Sequence, residues 1–265
     1  MLTRVFTALL VILFVGLVPL RGQQQPASAD SPPPITTDRP SFTNSSIVVP
    51  PGSFQAENGL LVTNNQGQNI LDAPETLVRI GVATRTELRL TIPNYYENLS
   101  SGGGQGSGFS DMAIGAKQQL GPTRGGFDVS ATVFLSLPTG AARVSSGGYD
   151  PGLQVAWSRG LNSKWTAAGM FSLYAPTQSR TRNVTGESTI LVDRQLMGPW
   201  DAFIEYVGDF PESGGSRQLL NFGTSLKVAK RQQIDFHFGV GLTPAAVDHF
   251  IGIGYSFRFR LTRGK

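Results

Sequence analysis

The residues of this 265-residue chain that could do chemistry are few and mostly of one kind. There is no cysteine, and the two histidines are His237 and His249, so the usual nitrogen and sulfur ligand sets for a metal cannot be assembled. The glycine cluster SGGGQGSG at 101–108 lacks the Lys-Ser/Thr pair that opens a helix onto a phosphate, and reads as a flexible external loop. Nucleophilic hydrolysis would need a serine and a base arranged together. His237 falls in phase with Asp235 and His249 falls at the end of a segment, so neither is evidently placed for that work. What remains is a set of charges: Arg79, Glu87, Arg89, Asp111, Lys117, Asp128, Asp201, Glu205, Asp235, His237, Arg258 and Arg260, with Asp38 and Arg39 in the stretch ITTDRPSFT. In water these would form a solvated face. Enclosed, they would have to pair or hold water, because a lone charge shielded from solvent is costly. Both signs are present, so no ion selectivity is legible.

The elements that must position these charges are strands. In the closing stretch IGIGYSFRFRLTRGK, Ile251, Ile253, Tyr255, Phe257, Phe259 and Leu261 alternate with Gly252, Gly254, Ser256, Arg258 and Arg260, the period of a β-strand. About twelve such segments are predicted, near 54–63, 75–82, 86–92, 110–119, 126–136, 151–160, 164–174, 186–196, 200–208, 217–226, 232–240 and 249–261. The segment 186–196 alternates poorly, since either phase misplaces Asp193 or Arg194. Every second connection is short and the others are longer, the rhythm of an up-and-down barrel with tight turns on one side of a membrane and loops on the other. A Greek-key sandwich would not be expected to keep it. Trp157 and Trp165 flank the turn at 161–163 and Trp200 follows the turn at 197–199, whereas Tyr95, Tyr96, Tyr174 and Tyr206 fall toward opposite strand ends. Two levels of aromatics fit interfacial belts.

Composition bounds the rest. Residues 1–29 carry Arg4, an apolar run from Val5 to Leu20 and the small residues Ala27 to Ala29, the pattern of a cleaved secretory signal peptide. Removing Arg4 and Arg21 and no acid leaves +2 of the formal charge of +4, and nothing suggests nucleic acid. An exported chain without disulfides must hold itself together by packing and backbone ladders. Residues 30–53, rich in proline and serine, read as an extended segment; 54–261 form the barrel and 262–265 a tail. The expected fold is therefore all-β, a closed antiparallel up-and-down transmembrane β-barrel. Its first partner is the lipid bilayer, and its oligomeric state is unread.

The motifs TTDRPSFT (36–43), LVRIGVATRTELRLTIP (77–93), GFSDMAIGAKQQL (108–120), ATVFLSLPTG (131–140), AFIEYVGDFPE (202–212) and FIGIGYSFRF (250–259), in that order, resemble the Putative MetA-pathway of phenol degradation family. The resemblance implies a bacterial outer-membrane barrel of transporter type that takes up aromatic or other hydrophobic small molecules. Gly254, Phe257 and Phe259 also resemble the terminal signal read by the outer-membrane insertion machinery, although RLTRGK follows where many such chains end on the aromatic. The functional expectation is passive uptake of a small-molecule solute, with no cofactor and no covalent chemistry. An outer-membrane hydrolase of the phospholipase type and a non-conducting structural or adhesive barrel stay open. So do two readings of 30–53: a floppy linker, or a plug in which Asp38 and Arg39 pair charges such as Arg258 or Glu205.

Overall fold

The computed structural model describes residues 33–100, 107–178 and 180–261; the expected signal peptide, most of the 101–108 glycine cluster and the tail at 262–265 lie outside them. Apart from a two-stranded ribbon of Thr177–Gln178 and Thr181–Arg182, the strands of the described chain form one antiparallel sheet that closes on itself as a barrel of twelve staves. In chain order these are Ser53–Asn65; Gln68–Ala73 continued by Leu77–Ala83; Thr86–Thr91 continued by Tyr95–Asn98; Gly108–Phe109 continued by Met112–Gln119; Asp128–Leu137; Asp150–Gly160; Trp165–Tyr174; Thr185–Met197; Trp200–Pro211; Arg217–Ala229; Gln232–Gly241; and His249–Arg260. The first and last staves seal the wall from Ser53 opposite Arg260 to Asn64 opposite His249. Closure leaves no unpaired edge, the condition a sheet must meet in a solvent that cannot hydrogen-bond its backbone.

Staves two to four are interrupted at one level. Leu77 pairs Thr91 and Ala73 pairs Tyr95 on either side of the gap, and Thr91 pairs Ala113 while Tyr95 pairs Phe109 in the next pair. Pro74 and Pro93 lie inside the gap, where they have no N–H to give a ladder. Single bonds cross it instead: Gly59 N–H to the Pro74 carbonyl at 2.7 Å, Ile92 N–H to Thr76 at 2.9 Å and Ser110 N–H to Asn94 at 2.7 Å.

At the near end, where the first stave begins, the turns include 84–85, 198–199 and 230–231; at the far end the loops include 138–149 and 175–184. Several expected loops are corrected: 93–109 holds the strands Tyr95–Asn98 and Gly108–Phe109, 175–185 holds the pair Thr177–Gln178 and Thr181–Arg182, and 64–74 holds a hairpin. Residues 64–74 form a two-residue turn at Gln66 and Gly67, with φ of 52° and 77°, followed by the strand Gln68–Ala73. Two successive left-handed residues match the twist of a hairpin. The run of asparagine and glutamine hid this strand, because a stave tip that projects past the lipid needs no apolar row.

Burial is inverted relative to a soluble protein. Gln55, Glu57, Arg79, Glu87, Lys117 and Glu205 are 0% exposed, whereas Phe171 is 60%, Val133 57% and Ile253 54% exposed. The apolar rows therefore face lipid and the charges face inward. The eighth stave follows the same phase: Asp193 shares the inward face with Thr189 and Leu191, and Arg194 stands outside at the near rim. Several strand glycines make room for inward rings. A Cβ at Gly152 would collide with Phe134, and one at Gly223 with Phe203.

Ile253→Arg places a charge in the middle of the outward row and is expected to cost about 2–4 kcal/mol, against about 0–1 kcal/mol for Leu161→Arg at the rim. Refolding titrations in detergent and lipid measure the difference; equal costs would contradict the facing.

Candidate functional site

Residues 34–52 cross the lumen as a strap without regular structure. Near its start, the Ile35 N–H donates to the Lys230 carbonyl at 2.9 Å, and at its end Gly52 N–H reaches Gly81 O at 2.8 Å. Ile35, Asp38, Thr43, Ser46 and Val49 are each 5% exposed or less. A chain with no strand neighbours must find other acceptors for its amides, and here wall carboxylates supply them. Glu57 accepts from Asp38 N at 2.8 Å and Arg39 N at 3.1 Å. Glu205 accepts from Phe42 N at 2.9 Å, Thr43 N at 2.6 Å and the Thr43 hydroxyl at 2.6 Å. Glu87 accepts from Val49 N at 2.7 Å.

These carboxylates are held in turn by cations. Arg79 donates Nε and Nη2 to Glu87 at 2.9 and 3.0 Å, Nη1 to Glu57 at 2.9 Å and Nη2 to the Ile47 carbonyl at 2.9 Å. Asp38 sits among Arg79 at 3.2 Å, Arg89 at 2.6 Å and Lys117 at 3.2 Å. Lys117 also donates to Ser45 O at 2.8 Å, and Arg89 to Glu87 at 2.9 Å. Asp38, Glu57 and Glu87 thus face Arg79, Arg89 and Lys117 with no net charge left over. Burial opposes the charge on Asp38, but the three cations more than offset it and hold its carboxyl well below the ordinary carboxylate range. Arg39 turns the other way, to Glu75 at 2.5 Å and Asp235 at 3.4 Å.

Of the residues singled out in sequence, Arg79, Glu87, Arg89, Lys117 and Asp38 meet in one network, and Arg39 meets Asp235. The partners differ from those expected: Asp38 joins the cations of staves two to four, and Glu205 binds strap amides. Asp201 pairs Lys227 at 2.6 Å near the rim. Asp128 lies opposite Ser158 toward the same end. Arg258 is buried and Arg260 exposed at the rim. Asp111 stands apart, between the two parts of the fourth stave, where it accepts the amides of Gly140 at 2.8 Å and Ser146 at 2.9 Å. His237 contacts Asn221 at 3.3 Å and packs its ring 5.4 Å from Phe250. Among the described residues neither histidine has a serine hydroxyl as hydrogen-bond partner.

Gln55, Glu57, Glu75, Thr189 and Asn221 were not singled out. Gln55 and Glu57 were findable, because they fall in the inward phase of the first segment. Glu75 opens the predicted segment 75–82 in phase with Arg79, but in the structure it sits in the stave gap, with φ of 45°, ahead of the strand Leu77–Ala83. Toward the far end the lumen opens into a vestibule of about 640 Å³, lined by residues including Ile70, Asn94, Tyr96, Asn98, Arg143 and Val144.

Arg79→Ala would leave Glu57 buried without its cation and Glu87 with Arg89 and Lys117 alone, and is expected to cost about 3–5 kcal/mol. Glu205→Ala should cost less, about 1–3 kcal/mol, and raise hydrogen exchange at the Phe42 and Thr43 amides. Unchanged exchange at those two amides would contradict the seating of the strap.

No curated protein matches the chain. Among solved structures it is similar to an outer membrane channel from Pseudomonas putida F1, at 13% identity over 81% of this chain and 98% of that one, with a TM-score of 0.63. It is also similar to the NanC porin, at 7% identity, 77% and 98% coverage and a TM-score of 0.57, and to the KdgM porin, at 11%, 78% and 99% and 0.52. These likenesses show the fold. The family model described as Putative MetA-pathway of phenol degradation matches residues 37–259, which span the strap, its carboxylate anchors and nearly the whole wall, and the chain belongs to that family.

Proposed function

We propose that the protein resides in a bacterial outer membrane, exported by a signal peptide over 1–29, and admits small molecules passively through a lumen restricted by the strap. The observation that carries this reading is the division of the lumen: a vestibule of about 640 Å³ toward one end and a strap-filled section, with a charge-balanced network around Asp38, toward the other. The near end, with its short turns, is the periplasmic side, as in barrels of this architecture. Support for the channel class comes from the porins and channel that share the fold; the KdgM porin has been determined in complex with disordered oligogalacturonate. For this chain the vestibule is lined mostly by polar and charged side chains, among them Asn94, Asn98, Asp111, Arg143 and Asp150, with Ile70, Val144 and the ring of Tyr96 as its apolar part. That mixture suits a small solute that carries polar groups, including an aromatic one resting on the Tyr96 ring. We assign the wall no covalent step.

A second reading, a non-conducting structural barrel, is favoured by the completeness of the ion pairing around Asp38. Conductance separates the two. Deleting residues 34–48 is expected to raise single-channel conductance in planar bilayers several-fold and to speed uptake of a small aromatic alcohol into liposomes. Unchanged conductance with normal insertion would support the structural reading.

A further inference from the structure

We propose that the outer face of the near rim, from the fifth to the eighth stave, is a docking surface for anionic phospholipid headgroups of the inner leaflet. The inference rests on the outer-membrane placement above, but not on conduction.

Two outward arginines carry it. The Arg159 guanidinium lies 5.0 Å from the Phe127 ring centroid, and that of Arg194 lies 5.1 Å from the Trp165 ring. Both arginines are exposed, and neither has an ion-pair partner among the described residues. In register Arg159 faces Ala167 and Arg194 faces Trp165 on the shared seventh stave, so both flank one narrow strip of wall. Lys164, exposed in the adjoining turn, adds a third cation. Lys227, Arg217 and Arg182 are neutralised by Asp201 at 2.6 Å, Asp209 at 3.1 Å and Asp150 at 3.3 Å; the exposed near-rim arginines Arg85, Arg124, Arg231 and Arg260 have no ion pair among the described residues, but none of them is seated on a ring as Arg159 and Arg194 are.

The depth is that of a headgroup. Trp165 is 38% and Trp200 41% exposed at the edge of the apolar belt, where tryptophan marks the membrane interface. A ring holds one face of a guanidinium and leaves its N–H edge free, which suits the paired oxygens of a phosphate. Cations at that level are drawn to anionic lipid. Phosphate chemistry is shared by phosphatidylglycerol and by lipid A of the outer leaflet. The short turns of this rim assign it to the inner leaflet, and hence to phospholipid.

The test uses the full chain refolded into phosphatidylethanolamine vesicles with a minority of phosphatidylglycerol. Lipid retained after mild detergent extraction is quantified by mass spectrometry. Several-fold enrichment of phosphatidylglycerol over its bulk ratio is expected for the native chain and for Arg180→Gln at the opposite rim. The Arg159→Gln, Arg194→Gln double variant, with its heat-modifiable mobility intact, should fall to the bulk ratio. If that variant does not fold, Lys164→Gln, in an exposed turn, should lower the enrichment measurably. Absence of enrichment in the native chain, or its persistence in the folded variants, would overturn the proposal. So would a matching dependence on the two arginines for retained lipid A when lipid A replaces phosphatidylglycerol. Channel conductance is read separately, so failure of uptake leaves this outcome distinct.

Discussion

The arrangement depends on a hydrogen-bond constraint: backbone amides enclosed in a barrel must be given acceptors, and the strap cannot make a ladder to find them. Glu57, Glu87 and Glu205 meet that need from three parts of the wall. A buried carboxylate is costly in its own right, so each acceptor demands further donors. Arg79 answers for two of them, Asn221 serves Glu205 at 2.9 Å, and the remaining cations close around Asp38. The strap neutralises the wall as much as the wall seats the strap, and neither half is satisfied alone.

The same device recurs at the opposite end on a smaller scale. Asp111 takes two amides from loop 138–149, and Asp150 takes the amide and hydroxyl of Thr177 at 3.0 and 2.7 Å from the next loop. A carboxylate on the wall therefore anchors irregular backbone at both mouths. The difference lies in charge balance: Glu57 and Glu87 are compensated by cations inside the lumen, whereas Glu205 and Asp111 are held by uncharged donors. Asp111 itself stands at the level where Pro74 and Pro93 interrupt the ladder, so the wall is least regular beside the vestibule.

Most of the fold was legible because alternation is a direct record of which side chains meet lipid. It failed where lipid was not the selecting solvent. The Gln68–Ala73 strand carries Ile70 and Leu71 on opposite faces and polar residues beside each, so neither face forms an apolar row, and Arg194 breaks its row because cation–ring contact at the rim tolerates charge there. The inward charges were legible as a face, but their pairing was not. Asp38 is 79 positions from Lys117 in sequence, and their meeting is set by how far the strap runs before it turns, a distance no local pattern encodes. Glu205 was legible as an inward acid, yet its partners are backbone amides, which carry no sequence signature.

The strand glycines bear on a quantity that alternation leaves free. Slipping two neighbouring staves by two residues preserves every inward and outward face, so the lipid pattern alone permits several shears and hence several bores. Phe134 lies directly opposite Gly152, and Phe203 opposite Gly223. A two-residue slip would set Phe134 against Asp150 or Gln154 and Phe203 against Asn221 or Ser225, with no vacancy for either ring. Ring and glycine therefore act as a vernier on the cylinder, choosing its shear and, through it, the diameter of the bore.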